Sequence, residues 1–202
     1  MSKLSRTLLA IFTMSIPPLA EASAPGIGNF YKVDEHVYRG AQPTAEGFKY
    51  LAKLGVKTVL DLRGPDGFSA EEARLVTALG MHYVNVPMTG LTPPTDSQIV
   101  KILFLLEDHQ SGGVFVHCRR GADRTGVVIA AYRIDHDHSN NSQALKEAMS
   151  CGMAFLQLPR QIYILHFQPR SDVKSAQTAS GPSDPAKFQS TGIATTILHP
   201  QP

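Results

Sequence analysis

In the run His117-Cys118-Arg119-Arg120-Gly121-Ala122-Asp123-Arg124-Thr125-Gly126, a cysteine and an arginine stand with five residues between them. Val114-Phe115-Val116 before it is a short apolar stretch of the kind that forms a buried strand, and a helix-forming run follows Thr125. The order is therefore strand, tight loop, helix start. Backbone amides of such a loop turn inward, and the helix dipole adds positive potential, so the loop is a ready anion cradle. A thiol held there ionises easily. Its free pKa of about 8.5 falls to roughly 3.5–7.5 at helix N-termini and beside cations. A thiolate in a phosphate cradle is equipped for covalent phosphoester hydrolysis, in which sulfur attacks phosphorus in line and a phosphocysteine forms.

Each residue of the run has a functional reading beside a structural one. Cys118 is the candidate nucleophile; the alternative, a small buried core residue, is common for free cysteine. Arg124 has the planar fork that clamps two phosphate oxygens, which lysine cannot reproduce. A cation at a helix start opposes the dipole, so an anion there would compensate it. The Thr125 hydroxyl can donate to the sulfur and ease its departure, or cap the helix. Gly121 and Gly126 are expected to let the backbone turn and approach the phosphate. His117 is expected to order the loop through hydrogen bonds to backbone. Arg119 and Arg120 either point to solvent or read a second phosphate or an acidic surface; both readings stay open.

The elements that must position these residues alternate in type. Tyr31 to Arg39 reads as a first strand pair. Thr44 caps a helix through Phe48, Leu51, Ala52 and Leu54, stopped by Gly55. Val56 to Leu62 is a strand. Ser69-Ala70-Glu71-Glu72 has a capping-box pattern opening a helix to Leu79, with Gly80 as its stop. Met81 to Val86 is a strand. Thr95 and Gln98 cap a helix with an apolar face of Ile99, Ile102, Leu103 and Leu106. Val114 to His117 is a strand, Thr125 to about His136 a helix, and Ser142–Met149 and Pro159–Phe167 are shorter helices. The alternation predicts an α/β fold with a central mixed, mostly parallel sheet flanked by helices. Asp61 and Arg63 end a strand at the edge where ligands gather, either near the cradle or as an internal salt-bridge brace.

With 202 residues the chain accommodates one α/β domain of ordinary size. A net charge of +2 argues against a nucleic-acid partner. The basic character is local, in Arg119, Arg120 and Arg124. The two cysteines, Cys118 and Cys151, are too few for a disulfide scaffold, although in an oxidising compartment they could pair and silence the nucleophile. Lys3 and Arg6, the apolar run Leu8 to Leu19 and the small-x-small triplet Ala20-Glu21-Ala22 read as a secretory signal peptide. The organisation expected is a signal peptide over 1–22, one domain over 23–169 and an unpacked Ser/Thr/Gln/Pro-rich tail over 170–202. The mature protein is expected to be periplasmic or secreted, monomeric and without a membrane span. No His/Asp set has metal-ligand spacing; His136, Asp137 and His138 read as a polar helix end, and no metal or cofactor is expected.

The Cys118–Arg124 spacing resembles the Cys-x5-Arg signature of the protein tyrosine phosphatase superfamily. His117-Cys118, Gly121 and Arg124-Thr125-Gly126 together are similar to its dual-specificity and atypical branches. Gly121-Ala122-Asp123-Arg124-Thr125-Gly126 resembles bacterial secreted phosphatases acting on phosphotyrosine and phosphoinositides. Val37-Tyr38-Arg39-Gly40-Ala41-Gln42-Pro43, followed by Val56 to Arg63, resembles the start of small bacterial dual-specificity-like enzymes. The resemblance covers about residues 29–168. It implies a phosphatase acting on a phosphorylated protein or small phosphomonoester, with Cys118 and Arg124 as the reacting pair and 119–124 as the phosphate-binding loop. It also implies a general acid on an upstream loop. The corresponding stretch here, Pro87 to Thr95, has no carboxylate. Asp123 is the first candidate, Asp96 the second, and a reaction without an acid, suited to good leaving groups, the third. Ala122 stands where phosphoinositide-active relatives carry lysine, which favours phosphotyrosine or dual-specificity substrates over inositol phosphates. The rivals are a rhodanese-like sulfurtransferase, revealed by a Cys118 persulfide after thiosulfate turnover, and a non-catalytic phosphate-binding module, which would bind oxyanions without hydrolysis.

Overall fold

In the computed structural model, residues 24–64, 67–108 and 112–170 are described. The signal-peptide segment and nearly all of the C-terminal tail lie outside them. Two compact units divide after Phe167, and every helix and strand named below belongs to the first.

The chain runs β1 (Tyr31–Lys32), β2 (Val37–Ala41), α1 (Ala45–Lys53), β3 (Val56–Asp61), α2 (Gly67–Ala78), β4 (His82–Asn85), α3 (Asp96–Glu107), β5 (Gly113–Cys118), α4 (Asp123–Asp135), α5 (Asn141–Ser150) and α6 (Leu158–His166). The strands form one sheet in the order β1-β2-β5-β3-β4. Only β1 is antiparallel to its neighbour; the β2–β5, β5–β3 and β3–β4 pairs are parallel. The predicted mixed, mostly parallel α/β sheet is what the chain forms. β5 lies in the middle, and its carboxyl end is flanked by those of β2 and β3. Cys118 pairs in register with Ala41, and His117 with Asp61.

Side chains alternate across a strand, and this decides which face each functional group serves. On β5, Val114, Val116 and Cys118 join the core beneath α3, α4, α5 and α6. Phe115 belongs to the opposite core, with Phe48 and Leu51 of α1 and Val76 of α2. His117 shares that second face and stacks on Phe115 with ring centroids 5.6 Å apart. Helix α4 is the central helix, with nearly every residue buried. Such a helix cannot be amphipathic, because it is covered on all sides.

The predicted caps at Thr44 and at Thr95 with Gln98 are present, the latter as a full capping box. Three local readings are corrected. α2 begins at Gly67 rather than at Ser69. Ser69 Oγ donates to Gly64 O at 3.3 Å, and Glu72 turns inward to Arg63 and His117 instead of closing a capping box. The reason is energetic: a cap is worth about 1 kcal/mol, whereas an uncompensated buried charge costs about 3–5 kcal/mol. α4 begins at Asp123 rather than Thr125, with Ala122 at its cap and no side-chain capping bond. Thr125 is therefore not a helix cap. Gly126, expected to admit a phosphate, instead admits α5: a Cβ there would lie 3.0 Å from Met153 Cε and 3.5 Å from Ala148 Cβ.

That packing yields a test. The Met153 methyl is the end of a flexible side chain and can yield, while alanine gains about 1 kcal/mol of helix propensity over glycine. Gly126→Ala is expected to leave unfolding free energy within about 1 kcal/mol of wild type and to leave phosphate affinity unchanged. Urea unfolding and phosphate titration check both.

Candidate active site

The loop from Arg119 to Ala122 leaves β5 and enters α4 with its carbonyls held from outside. Arg119 O accepts from Gln42 N at 3.4 Å. Arg120 O accepts from Asn29 Nδ2 at 3.2 Å. Gly121 O accepts from Arg39 Nη2 at 2.7 Å. Ala122 O accepts from Gly126 N at 2.6 Å, the first bond of α4. In a planar trans peptide the N–H points opposite to the C=O. Anchoring these carbonyls outward therefore turns the amides of Arg120, Gly121 and Ala122 inward, which is the amide cradle the sequence implied. Gly121 has φ +67°, and a Cβ there would overlap the Gly40 carbonyl, so both the turn and the close approach require glycine.

Cys118 lies at the floor of this loop, 2% exposed, with Thr125 fully buried beside it. Burial alone would raise the thiol pKa. The Thr125 hydroxyl, the amides of Thr125 and Arg120 and the Arg124 guanidinium outweigh it, and the net direction is down. Thr125 Oγ1 is buried without a partner in full hydrogen-bond geometry, so the hydroxyl is uncommitted and free to turn to the sulfur. Arg124 is half-buried and makes one long bond, Nη1 to Leu62 O at 3.4 Å. Among the described residues it forms no ion pair, so most of its fork remains available to an anion. Both cysteines are free. Burial pushes the Cys151 thiol up.

Asp123 is engaged on both oxygens. Oδ1 accepts from Ala154 N at 2.8 Å, and Oδ2 pairs with Arg120 Nη2 at 2.6 Å. These contacts tie the loop to the segment before α6. Arg120 is nonetheless 68% exposed as a side chain, and Arg119 is exposed. Asp96, at the start of α3, is exposed and accepts from Tyr163 Oη at 3.1 Å.

On the opposite face of the sheet lies a buried charge network. Arg63 forks onto Asp61 (Nε–Oδ1 2.9 Å, Nη2–Oδ2 2.8 Å) and reaches Glu72 Oε2 at 2.6 Å. Gln42 bridges Arg63 and Glu72. Tyr83 Oη donates to Asp61 at 2.7 Å. Asp61 and Arg63 thus form the internal brace. Burial would raise the Asp61 carboxyl, but Arg63, His117 and Tyr83 hold it below the usual range. His117 Nε2 donates to Glu72 Oε1 at 2.8 Å, while Nδ1 is 3.4 Å from Cys118 O. Its principal partner is therefore a carboxylate of α2, not backbone. The fold also gathers a potential ligand set that spacing concealed: donor atoms of Asp61, Glu72 and His117 lie within 4.8 Å of one another. The Arg63 guanidinium already supplies the cation they face. At the far end of α4, His136 and Asp137 bond to each other, and Asp137 pairs with Arg133.

Four residues of the site carried no role in the sequence reading: Asn29, Arg39, Glu72 and Arg160. Arg39 is fully buried, with Nε and Nη1 unpartnered and its guanidinium 5.9 Å from the Tyr31 ring centroid. Its only sequence signal was its place beside Gly40 in the Val37–Pro43 run. Arg160, fully buried in α6, donates to Thr89 O at 2.6 Å and Gly90 O at 3.0 Å.

A thiol at the end of a central parallel strand, an inward amide ring and a forked cation define a cysteine-phosphatase fold and site. The family model for a DSP-PTPase phosphatase fused to NAD+ kinase matches residues 23–162. The chain belongs to the protein tyrosine phosphatase superfamily, in its atypical dual-specificity branch. It is 32% identical over 137 residues to the dual specificity protein phosphatase TpbA of Pseudomonas aeruginosa strain UCBPP-PA14, across 67% of this chain and 60% of that relative. It is 28% identical over 109 residues to the inositol diphosphatase DSP3 of Arabidopsis thaliana, across 52% and 53% of the two chains. The match thus spans less than two thirds of these curated relatives. The crystal structure of a cysteine-to-serine TpbA variant in complex with pTyr superposes with a TM-score of 0.66 at 25% identity, covering 82% of this chain and 98% of that one. The core catalytic domain of the PP-IP phosphatase SIW14 from S. cerevisiae shares the fold, with a TM-score of 0.65 at 24% identity over 78% and 96% of the chains.

The electrostatics of the loop generate a pH test. The folded thiol lies below the ordinary value of a free thiol. Any stability it contributes is therefore full above the unfolded value and lost as pH falls through the folded one. Alkylation of Cys118 is expected to show a midpoint below that of a free thiol, and Thr125→Val to move it upward. A wild-type midpoint at or above that of a free thiol would contradict the site's electrostatics.

Proposed function

We propose that the protein is a cysteine-dependent phosphomonoester hydrolase working through a phosphocysteine. The observation that carries this reading is the ring of outward-held carbonyls, which turns its amides onto the space above an acidified thiol beside an uncommitted Arg124. The Cys118 thiolate attacks phosphorus as the bond to the leaving oxygen breaks, and that oxygen takes up a proton. Arg124 and the inward amides hold the equatorial oxygens as charge shifts. Water then attacks phosphorus, the S–P bond breaks, and the departing sulfur is received by the Thr125 hydroxyl. The products are inorganic phosphate and the restored thiolate.

Protein phosphotyrosine, or the broader dual-specificity set, is the substrate class we favour. TpbA, named a dual specificity phosphatase and crystallised with pTyr, supports it. So does the immediate neighbourhood of the loop: Leu91, Phe155 and Leu156 are 79%, 75% and 83% exposed. Phe155 follows Ala154, whose amide holds Asp123, and Leu91 follows Gly90, which Arg160 holds. An apolar rim suits an aryl carrier better than a polyanionic cyclitol. The second reading, an inositol phosphate or diphosphate substrate, has the support of the inositol diphosphatase relatives. Arg119 and Arg120 are exposed to meet such charge. The leader of residues 1–22 points to a periplasmic or secreted enzyme.

A panel of phosphotyrosine peptide, phosphoserine peptide, inositol polyphosphate and p-nitrophenyl phosphate, assayed with a chelator present, separates the readings. Turnover with the tyrosine peptide ahead of the cyclitol is expected, and the reverse order would overturn the substrate choice. Cys118→Ser is expected to abolish turnover while retaining phosphate binding. Arg124→Lys is expected to lose most of both, on the order of 100-fold or more in kcat.

The acid is a separate question. We retain Asp123 as the first candidate, though in the resting site both its oxygens accept, so it would have to release Arg120 or Ala154 to deliver a proton. Asp123→Ala is expected to slow phosphotyrosine hydrolysis by about 10²-fold or more and p-nitrophenyl phosphate far less. Equal rates for variant and wild type on phosphotyrosine would remove Asp123 as the acid.

A further inference from the structure

Arg160 is the largest charged group near the loop that the proposed reaction leaves unused. Its side chain is fully buried in α6. Nη2 donates to Thr89 O at 2.6 Å, Nη1 to Gly90 O at 3.0 Å and also to Gln157 Oε1, and Nε is buried without a partner. Burial lowers its pKa, and among the charges acting on it are Asp123, Arg124 and Cys118, which places the guanidinium within electrostatic reach of the reacting pair. A buried cation with an unpartnered N–H is costly.

The contacts around it close a ring. Arg124 Nη1 and the Met88 amide share the Leu62 carbonyl, at 3.4 and 3.1 Å. Met88 leads to Thr89 and Gly90, which Arg160 holds. Arg160 leads back through α6 and its preceding segment to Ala154, whose amide binds Asp123 beside Arg124. The first part of the Pro87–Thr95 loop, Met88 to Gly90, is thereby linked to the phosphate-binding loop by two routes, and Arg160 bridges the loop and α6 by holding two consecutive carbonyls.

We propose that Arg160 is a positioning residue of the reaction: its guanidinium fastens the Pro87–Thr95 loop beside the cradle and stands as a second fixed cation behind Arg124. In relatives that loop supplies a general acid. Here it carries no carboxylate, and it is held from behind by a cation. Its carbonyls are withdrawn from the site, so they do not face the phosphate oxygens, and the positive potential of Arg160 adds to that of Arg124 and the α4 N-terminus. The groups acting on the Cys118 sulfur in this arrangement are Thr125, Arg124, Arg120 N, the buried Arg39 and Arg160, while Asp123 acts on Arg160 itself.

This inference rests on the hydrolase reading, and the experiment separates the two. Arg160→Met and Arg160→Lys, with Gln157→Ala as a milder variant, are measured for kcat and KM on p-nitrophenyl phosphate, for the pH dependence of Cys118 alkylation, and for thermal unfolding. Arg160→Met is expected to lower kcat by on the order of 10- to 100-fold and to move the alkylation midpoint to higher pH. Arg160→Lys is expected to recover the midpoint but little of kcat, because an ammonium keeps the charge and loses the fork. A purely structural role would lower thermal stability yet leave kcat per folded molecule and the alkylation midpoint at wild-type values, and that result overturns the proposal. If Arg160→Met does not fold, the Lys and Gln157→Ala variants decide: unchanged kcat and midpoint in both overturn it, and a reduced kcat in either sustains it. A wild type with no turnover at all defeats the hydrolase reading instead.

Discussion

The orientation of three or four peptide planes is the constraint on which this molecule depends. Nothing in the run Arg119–Ala122 holds its own amides inward; a free loop of that sequence would expose carbonyls and amides alike. The orientation is imposed from outside, by Gln42, Asn29, Arg39 and the first turn of α4, each taking one carbonyl. Of these anchors Arg39 is the costliest, since a guanidinium buried among apolar groups with two unpartnered nitrogens is unfavourable taken alone. Its retention makes sense as part of an anion site. The Gly121 carbonyl it holds belongs to the peptide whose N–H, on Ala122, turns inward. Asn29 couples the same loop to Cys151 O at 3.0 Å and so to the end of α5.

Alternation along β5 separates two electrostatic tasks. His117 and Cys118 are neighbours in sequence and lie on opposite faces of the sheet. The thiol meets the α4 N-terminus, whose dipole and cations favour the anion. The imidazole meets Glu72, and through it Arg63 and Asp61, a network whose opposite charges are satisfied among themselves. The strand end is thereby held rigid from the side that carries no chemistry. Putting the brace and the nucleophile on the same face would set two carboxylates against the thiolate and undo the acidification that the loop achieves.

How far this was legible follows from range. The Cys118–Arg124 spacing, the strand before it and the helix after it are local, and local patterns carried the fold class and the sheet type. Two errors were also local in form but tertiary in cause. Glu72 sits in a run that reads as a capping box, yet it is 45 residues from the histidine it serves. Gly126 reads as part of the cradle, yet it answers to Met153 and Ala148 across the helix interface. Asn29, Arg39 and Arg160 were not identified because each acts on backbone atoms, and a carbonyl leaves no residue signature at the position it occupies. Buried arginines in otherwise apolar surroundings were the available signal: Arg39 falls within a resembling run, and Arg160 within a helix that also carries the buried Ile164.

The missing carboxylate of the Pro87–Thr95 loop links these points. A loop that delivers a proton must present a side chain to the leaving group. This one has its backbone bound at Met88, Thr89 and Gly90 and presents Leu91 outward. Asp123, meanwhile, is spoken for by Arg120 and Ala154. Most of the groups around the loop favour negative charge in its cradle: inward amides, the Arg124 fork and the α4 dipole. Proton delivery is the weaker provision. A proton for the leaving oxygen has to come from Asp123 once it is released from one of its partners, or the leaving group has to need that proton less. An aryl oxygen, with its conjugate acid near pKa 10, needs that proton less than an alkyl oxygen does, in keeping with the phosphotyrosine substrate proposed above.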